Sequence, residues 1–345
     1  MMRVLAALCV LIGSGIVPGG ALAAGGNGWA AWTKRNDPVF EGQYVASDPA
    51  IVRDGDGYRM FYTCFVFDPT VAFDPATTRA ALCEATSPDG LAWTNVPADG
   101  PIEGLVLTGR EGSWDENLEG GFAVERGGDY LLYYSGYRQQ GTPAPGFPAA
   151  LAVARSHDGL TFARVKDGPI LRPTPGWYDT DAVYSPTIVD DHGKLVMIYA
   201  GHCYTRCTAA PGVTLLAATS TDGLTWTKRS TPVLQALPAL GWTRDGVAEP
   251  GLIEGSDGLF YLFFTGLRDA DRVIGIARGT TPFGPWEVDP EPIVVPSASG
   301  FDRAGVLAPD VVVEGDTVRM WFLGTTPEED IAIGYAEATW PLWRG

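Results

Sequence analysis

The stretch Glu249-Pro250-Gly251-Leu252-Ile253, followed after a Gly/Asp turn by Phe260-Tyr261-Leu262-Phe263-Phe264-Thr265, decides the fold, because the same composition returns four more times. The other copies are Asp48-Pro49-Ala50-Ile51-Val52 with Tyr58 to Thr63, Gly120-Gly121-Phe122-Ala123-Val124 with Tyr130 to Ser135, Ser185-Pro186-Thr187-Ile188-Val189 with Leu195 to Ala200, and Ala308-Pro309-Asp310-Val311-Val312 with Val318 to Leu323. A β-branched run, a tight turn and an aromatic-rich run make each copy a hairpin. Successive copies start roughly 60 to 70 residues apart, longer than a WD repeat, so generous loops join the strands.

A second element follows most hairpins: Ser87-Pro88-Asp89-Gly90-Leu91-Ala92-Trp93, Ser156-His157-Asp158-Gly159-Leu160-Thr161-Phe162, Ser220-Thr221-Asp222-Gly223-Leu224-Thr225-Trp226 and the variant Thr281-Pro282-Phe283-Gly284-Pro285-Trp286. Asp-Gly turns a third strand into a fourth, and the aromatic packs between neighbouring units. The fifth unit lacks this element, but Trp32-Thr33-Lys34-Arg35 echoes Trp226-Thr227-Lys228-Arg229. Residues 30 to 39 are therefore expected to supply its outer strand. The pattern predicts an all-β, five-bladed β-propeller with four antiparallel strands per blade, closed by an N-terminal strand in blade five. A β-sandwich would not explain five matched units with a borrowed strand.

Composition agrees. Gly 44, Pro 27 and 11% aromatics suit many short strands joined by tight turns, and no stretch sustains a helical period. Arg3, the apolar run Val4 to Ile12 and Ala21-Leu22-Ala23 read as a signal peptide over residues 1–24, leaving one domain over 25–345 and a secreted, extracellular or periplasmic protein. A formal charge of -17 repels phosphate backbones and anionic lipid, so neither nucleic acid nor, after cleavage, a membrane is an expected partner. A monomer is expected. Four cysteines remain after cleavage, and Cys64 with Cys83 and Cys203 with Cys207 form two local pairs suited to disulfides in an oxidising compartment. Metal ligation is the rival for them, but neither the spacing nor a histidine cluster supports a zinc site.

In a propeller the innermost strand of each blade starts at one mouth of the channel, so residues at its entrance share a funnel. Those positions carry Asp48, Gly120 beside Glu119, Ser185 with Asp181 four residues earlier, Glu249, and Ala308 with Asp310 two residues on. Carboxylates facing one cavity repel, which raises at least one pKa and yields an unlike acid and base. Gly112-Ser113-Trp114-Asp115, Gly176-Trp177-Tyr178-Asp179, Gly241-Trp242-Thr243-Arg244-Asp245 and Gly300-Phe301-Asp302-Arg303 recur before the inner strands. Their repetition argues for packing and turn capping, while Glu116, Asp181 and Asp245 break the pattern. Trp114, Glu116, Tyr184, His202 and Asp245 are the candidate substrate contacts. No phosphate loop, nucleophile elbow or His-Glu-x-x-His stretch is present, which removes nucleotide, serine-hydrolase and zinc-peptidase chemistry.

Ser47-Asp48-Pro49-Ala50, Ala248-Glu249-Pro250-Gly251 and the five-unit plan resemble the five-bladed glycoside hydrolases that include family 43 arabinanases and xylosidases and the family 32 and 68 fructan enzymes. The resemblance spans the mature chain, with short motifs. It implies hydrolysis of a furanose-rich poly- or oligosaccharide such as arabinan, with Asp48 as base or nucleophile and Glu249 as general acid. The third acid of that group should head blade three, where Ser185 stands instead. Either Asp181 or Glu119 substitutes, or the working pair is Asp48 with Glu119, or the chain belongs to a separate family of endo-arabinanases. No cofactor is implied; a structural calcium ion occurs in some related arabinanases, and the sequence singles out no ligands for one. A transferase or phosphorylase on the same scaffold and a non-catalytic carbohydrate-binding propeller are the alternatives.

Overall fold

Alternating apolar residues and Gly/Asp turns do fold as meanders in the computed structural model, which describes residues 28–66, 78–97, 101–138, 149–205, 207 and 211–344. The signal-peptide reading of residues 1–24 lies outside them. Five units of antiparallel strands follow one another. The first comprises Ser47–Asp54, Gly57–Val66, Arg79–Ser87 and Thr94–Asn95, with Leu105–Leu107 also paired to its third strand. The second comprises Asn117–Arg126, Asp129–Tyr137, Ala150–Ser156 and Ala163–Arg164. The third is Ala182–Asp191, Lys194–Cys203, Gly212–Ser220 and Thr227–Lys228, and the fourth Gly246–Glu254, Phe260–Arg268, Asp271–Gly279 and Glu287–Val288. A parallel contact, Val213 with Gly246, joins these two units. The fifth is Gly305–Glu314, Thr317–Thr325 and Ile331–Thr339, with Trp32–Lys34 alongside its third strand. The helical segment among the described residues is one short 3-10 turn, Pro238–Leu240.

The arrangement is propeller-like. Each unit's inner strand packs on that of the next, and the fifth packs on the first. Side chains on these strands also bond across the junctions. Asp310 accepts the Ile51 amide at 2.5 Å between units five and one, and Thr187 accepts the Leu252 amide at 3.2 Å between units three and four.

Local hydrogen bonding explains the recurring Asp-Gly element in the first three units. Ser87, Ser156 and Ser220 accept the amides of Gly90, Gly159 and Gly223, and Asp89, Asp158 and Asp222 each accept two amides beyond the glycine. The closing aromatic then meets the neighbouring unit: Trp93 with Trp321, Phe162 with Phe61, Trp226 with Tyr133. These contacts join the apolar layers between sheets, where burial of large rings supplies most of the stabilisation.

The acids of the recurrent Gly-aromatic-Asp segments do more than cap turns. Asp115, Asp179 and Asp302 are fully buried, and each reaches a cation on the outermost strand of its own unit: Arg164 at 2.6 Å, Lys228 and Lys34 respectively. Lys34 thus occupies in the fifth unit the place of Lys228 in the third, which is the physical content of the matched Trp-Thr-Lys triplets. Both expected disulfides are formed, Cys64–Cys83 between neighbouring strands and Cys203–Cys207 within one loop.

Candidate active site

Every inner strand carries the same irregularity. Register slips by one residue between Ser47 and Ala50, Glu119 and Phe122, Tyr184 and Thr187, Ala248 and Gly251, and Leu307 and Asp310. This is a β-bulge, which bends the strand and re-aims the side chain of the extra residue. The bulged dipeptides are those singled out in the sequence, and Asp48-Pro49, Gly120-Gly121, Ser185-Pro186, Glu249-Pro250 and Ala308-Pro309 together line one cavity. Asp48, Ser185, Glu249 and Ala308 take left-handed backbone angles, with φ of 51°, 47°, 48° and 48°. Such angles are costly for residues with a Cβ and persist where the surrounding structure enforces them, often at functional sites. Gly120 has a separate reason to be glycine: a Cβ there would sit 2.7 Å from the Asp48 carbonyl oxygen.

Asp48 and Glu249 are built alike. Thr63 donates to Asp48 Oδ2 at 3.0 Å and accepts the amide of Gly120, in the next unit, at 2.8 Å. Thr265 donates to Glu249 Oε2 at 2.6 Å and accepts the amide of Ala308, again in the next unit, at 3.1 Å. Ser47 adds a second hydroxyl to Asp48 at 2.8 Å, and the Ala308 amide also reaches Glu249 at 3.0 Å.

Electrostatics tie a third acid to this pair. Burial and the charge of Glu249 push the Asp48 carboxyl up to about 6, against the hydroxyls of Ser47 and Thr63. Burial, reinforced by Asp48 and then Glu249, pushes Glu119 up to about 8, although Tyr137 hydrogen-bonds to it. Glu249 is also raised by burial, opposed by Thr265, the Ala308 amide and the nearby Arg272. Near neutral pH these environments leave Glu119 with its proton and Asp48 mostly without one, the unlike pair that acid–base chemistry needs.

The other candidates divide. Asp181 does not line the cavity: its carboxylate is taken up by the amide and hydroxyl of Thr205 and the amide of Tyr204, which outweigh burial and hold it below the usual carboxylate range. It also adjoins the sulfurs of Cys203 and Cys207, but those are bonded to each other and offer no thiolate to a metal. Trp114, half-buried, packs its ring where a Cβ of Gly136 would stand and donates to the Asp167 carbonyl at 3.2 Å. Trp242 over Gly266 and Phe301 over Gly324 repeat that packing. Glu116 is buried against Arg79 at 3.4 Å. Asp245 is an exposed partner of Arg244 and the Asp269 amide, away from the cavity lining. Tyr184 and His202 are buried with ring centroids 5.0 Å apart, and burial pushes His202 down to about 4, so it is neutral. Sequence reasoning missed Arg272, a buried cation whose charge reaches Glu249; nothing in Asp271-Arg272-Val273 distinguishes it from a solvent-facing strand residue.

Among the described residues no helix is long and apolar enough to cross a membrane. Comparison with known proteins brings the same group of enzymes into view. An RGII complex of BT0996 has a TM-score of 0.68 at 19% identity, with 92% of this protein and 93% of that one covered. A thermostable family-43 glycoside hydrolase gives 0.62 at 19% identity over 86% and 91%. A β-1,2-mannobiose phosphorylase from Listeria innocua gives 0.61 at 16% over 87% and 90%. The fold is shared with all three. An uncharacterised protein of Mycobacterium tuberculosis is 27% identical over 177 residues, and this chain spans about half the length of the curated relatives it matches. Residues 120–274, which contain Glu249 but not Asp48, match the N-terminal domain of glycosyl hydrolases family 32, so the resemblance to glycoside hydrolases rests on sequence as well as on fold.

Proposed function

We propose that this chain is a secreted glycoside hydrolase that cleaves a furanose-rich polysaccharide such as arabinan. In this reading the five units are the blades of one closed propeller over residues 25–345, acting as a monomer. The supporting observation is the matched construction of Asp48 and Glu249: equivalent bulges, left-handed backbone, a threonine hydroxyl beneath each, and one shared cavity. Asp48, ionised, acts on water or on the anomeric carbon, and Glu249 protonates the departing glycosidic oxygen. Incubation with arabinans and fructans tests it. Asp48→Asn and Glu249→Gln should each lower turnover by roughly 10²- to 10⁴-fold, and unchanged rates in both end the assignment.

A second reading exchanges the acid. Glu119, held protonated up to about 8, is equipped to donate a proton to a leaving group near neutral pH. An aryl glycoside with a good leaving group needs little protonation, so it should rescue whichever variant, Glu249→Gln or Glu119→Gln, has lost the acid.

A further inference from the structure

Arg272 is the buried arginine of the described residues, 8% exposed, and it makes no ion pair there. Its Nη1 donates to the main-chain oxygens of Asp269 at 3.0 Å and Asp271 at 2.8 Å. Among the described residues, Nε and Nη2 have no acceptor. The stem is fixed by packing: a Cβ on Gly305 would lie 3.0 Å from the Arg272 Cβ. Burial depresses the basicity of the guanidinium, opposed by the charge of Glu249, and Arg272 lies on the same strand as Ile274, the pairing partner of the Thr265 that donates to Glu249. Tyr204 adjoins His202, ring centroids 6.1 Å apart, whose Nδ1 is buried without a partner. His202 on unit three and Arg272 on unit four, whose stem packs on Gly305 of unit five, are therefore two buried polar groups with unused hydrogen-bonding capacity among the described residues.

A desolvated guanidinium with spare donors is costly unless a ligand completes it, and its planar fork suits the paired oxygens of a carboxylate or phosphate better than a single hydroxyl. The geometry points to an oxyanion subsite beside Glu249, anchored by the open edge of Arg272, that takes either the carboxylate of a uronic acid residue in the substrate or inorganic phosphate. Protonation of Glu119 near neutral pH removes one repelling charge from the neighbouring cavity. The two sources lead to different chemistry. A uronate would fix the register of a charged glycan for hydrolysis. Phosphate would replace water as the nucleophile, its oxygen bonding to the anomeric carbon while the glycosidic C–O bond breaks and the leaving oxygen takes a proton from the general acid. The subsite adjoins the acids of the proposed hydrolase and rests on that reading for its purpose, but anion binding is measured without turnover, so the two fail separately.

The test is calorimetric titration of the full mature chain with inorganic phosphate, D-galacturonate and D-glucuronate, with neutral L-arabinose as control. One of the anions should bind, and binding should weaken by about tenfold or more in Arg272→Met and less in Arg272→Lys, which keeps the charge but loses the fork. In the wild type the same anion should protect Arg272 from phenylglyoxal, mapped by peptide mass spectrometry; this arm needs no variant to fold. Phosphate binding alone assigns phosphate, and uronate binding alone assigns a charged glycan. No anion binding in the wild type, equal binding in Arg272→Met, or no protection of Arg272 would overturn the subsite.

Discussion

Thr265 donates its hydroxyl hydrogen to Glu249 at 2.6 Å, and Thr63 does the same for Asp48 at 3.0 Å. Each bond favours the ionised carboxylate, so each threonine opposes the rise in pKa that burial imposes on its acid. Thr63→Val should therefore move the acidic limb of the pH–activity profile upward, because Asp48 must lose its proton to act. Thr265→Val should move the alkaline limb upward, because Glu249 must keep its proton. Hydrolysis assayed from pH 4 to 10 checks both; a shift of the same limb in both variants would contradict the assignment.

Glu119 gives a stability prediction whose sign is fixed by its raised pKa. The folded state holds this proton up to about 8, well above the ordinary carboxylate value, so the folded chain binds more protons than the unfolded one between those limits. Stability should fall as pH rises through that window. Glu119→Gln removes this contribution and should melt higher than wild type by a few degrees at pH 9, with the difference shrinking below pH 4. Differential scanning calorimetry at the two pH values reads it.

Lys34 neutralises Asp302, which is fully buried. Lys34→Met should leave that carboxylate uncompensated and cost about 3–5 kcal/mol, whereas Lys34→Met with Asp302→Leu should recover most of the loss. Urea unfolding of the two variants checks the difference. Equal destabilisation would mean that the ion pair is not what holds the Trp32–Lys34 strand in place.

The unit plan is legible in the sequence because strands and tight turns are local: alternation, Asp-Gly and matched Trp-Thr-Lys triplets all show in consecutive residues. Asp48 and Glu249 are legible for a related reason, since the repeat marks equivalent positions and an acid at two of five stands out. The strain at those positions is harder to see. The X-Pro dipeptides mark bulges, but the left-handed angle before each proline shows only in the folded backbone. Glu119 stands out in sequence only as a substitute acid, because its raised pKa arises from burial and from charges brought near by folding. Trp114 and Asp181 have side chains that suit sugars, whereas Gly136 and the Tyr204-Thr205 amides, which occupy them, are distant in sequence. Arg272 carries no local signal at all.

The strand Trp32–Lys34 is synthesised before the other four units and completes a sheet whose other members, Gly305–Glu314 to Ile331–Thr339, are synthesised after them. While the chain is being produced, this segment must wait unpaired, an open edge available to any passing strand. A lesion in Trp32–Lys34 or in Ile331–Thr339 is thus felt at the same seam, and proteolysis beside Trp32–Lys34 should loosen the hairpin of Thr317–Thr325 and Ile331–Thr339 before it disturbs the middle units.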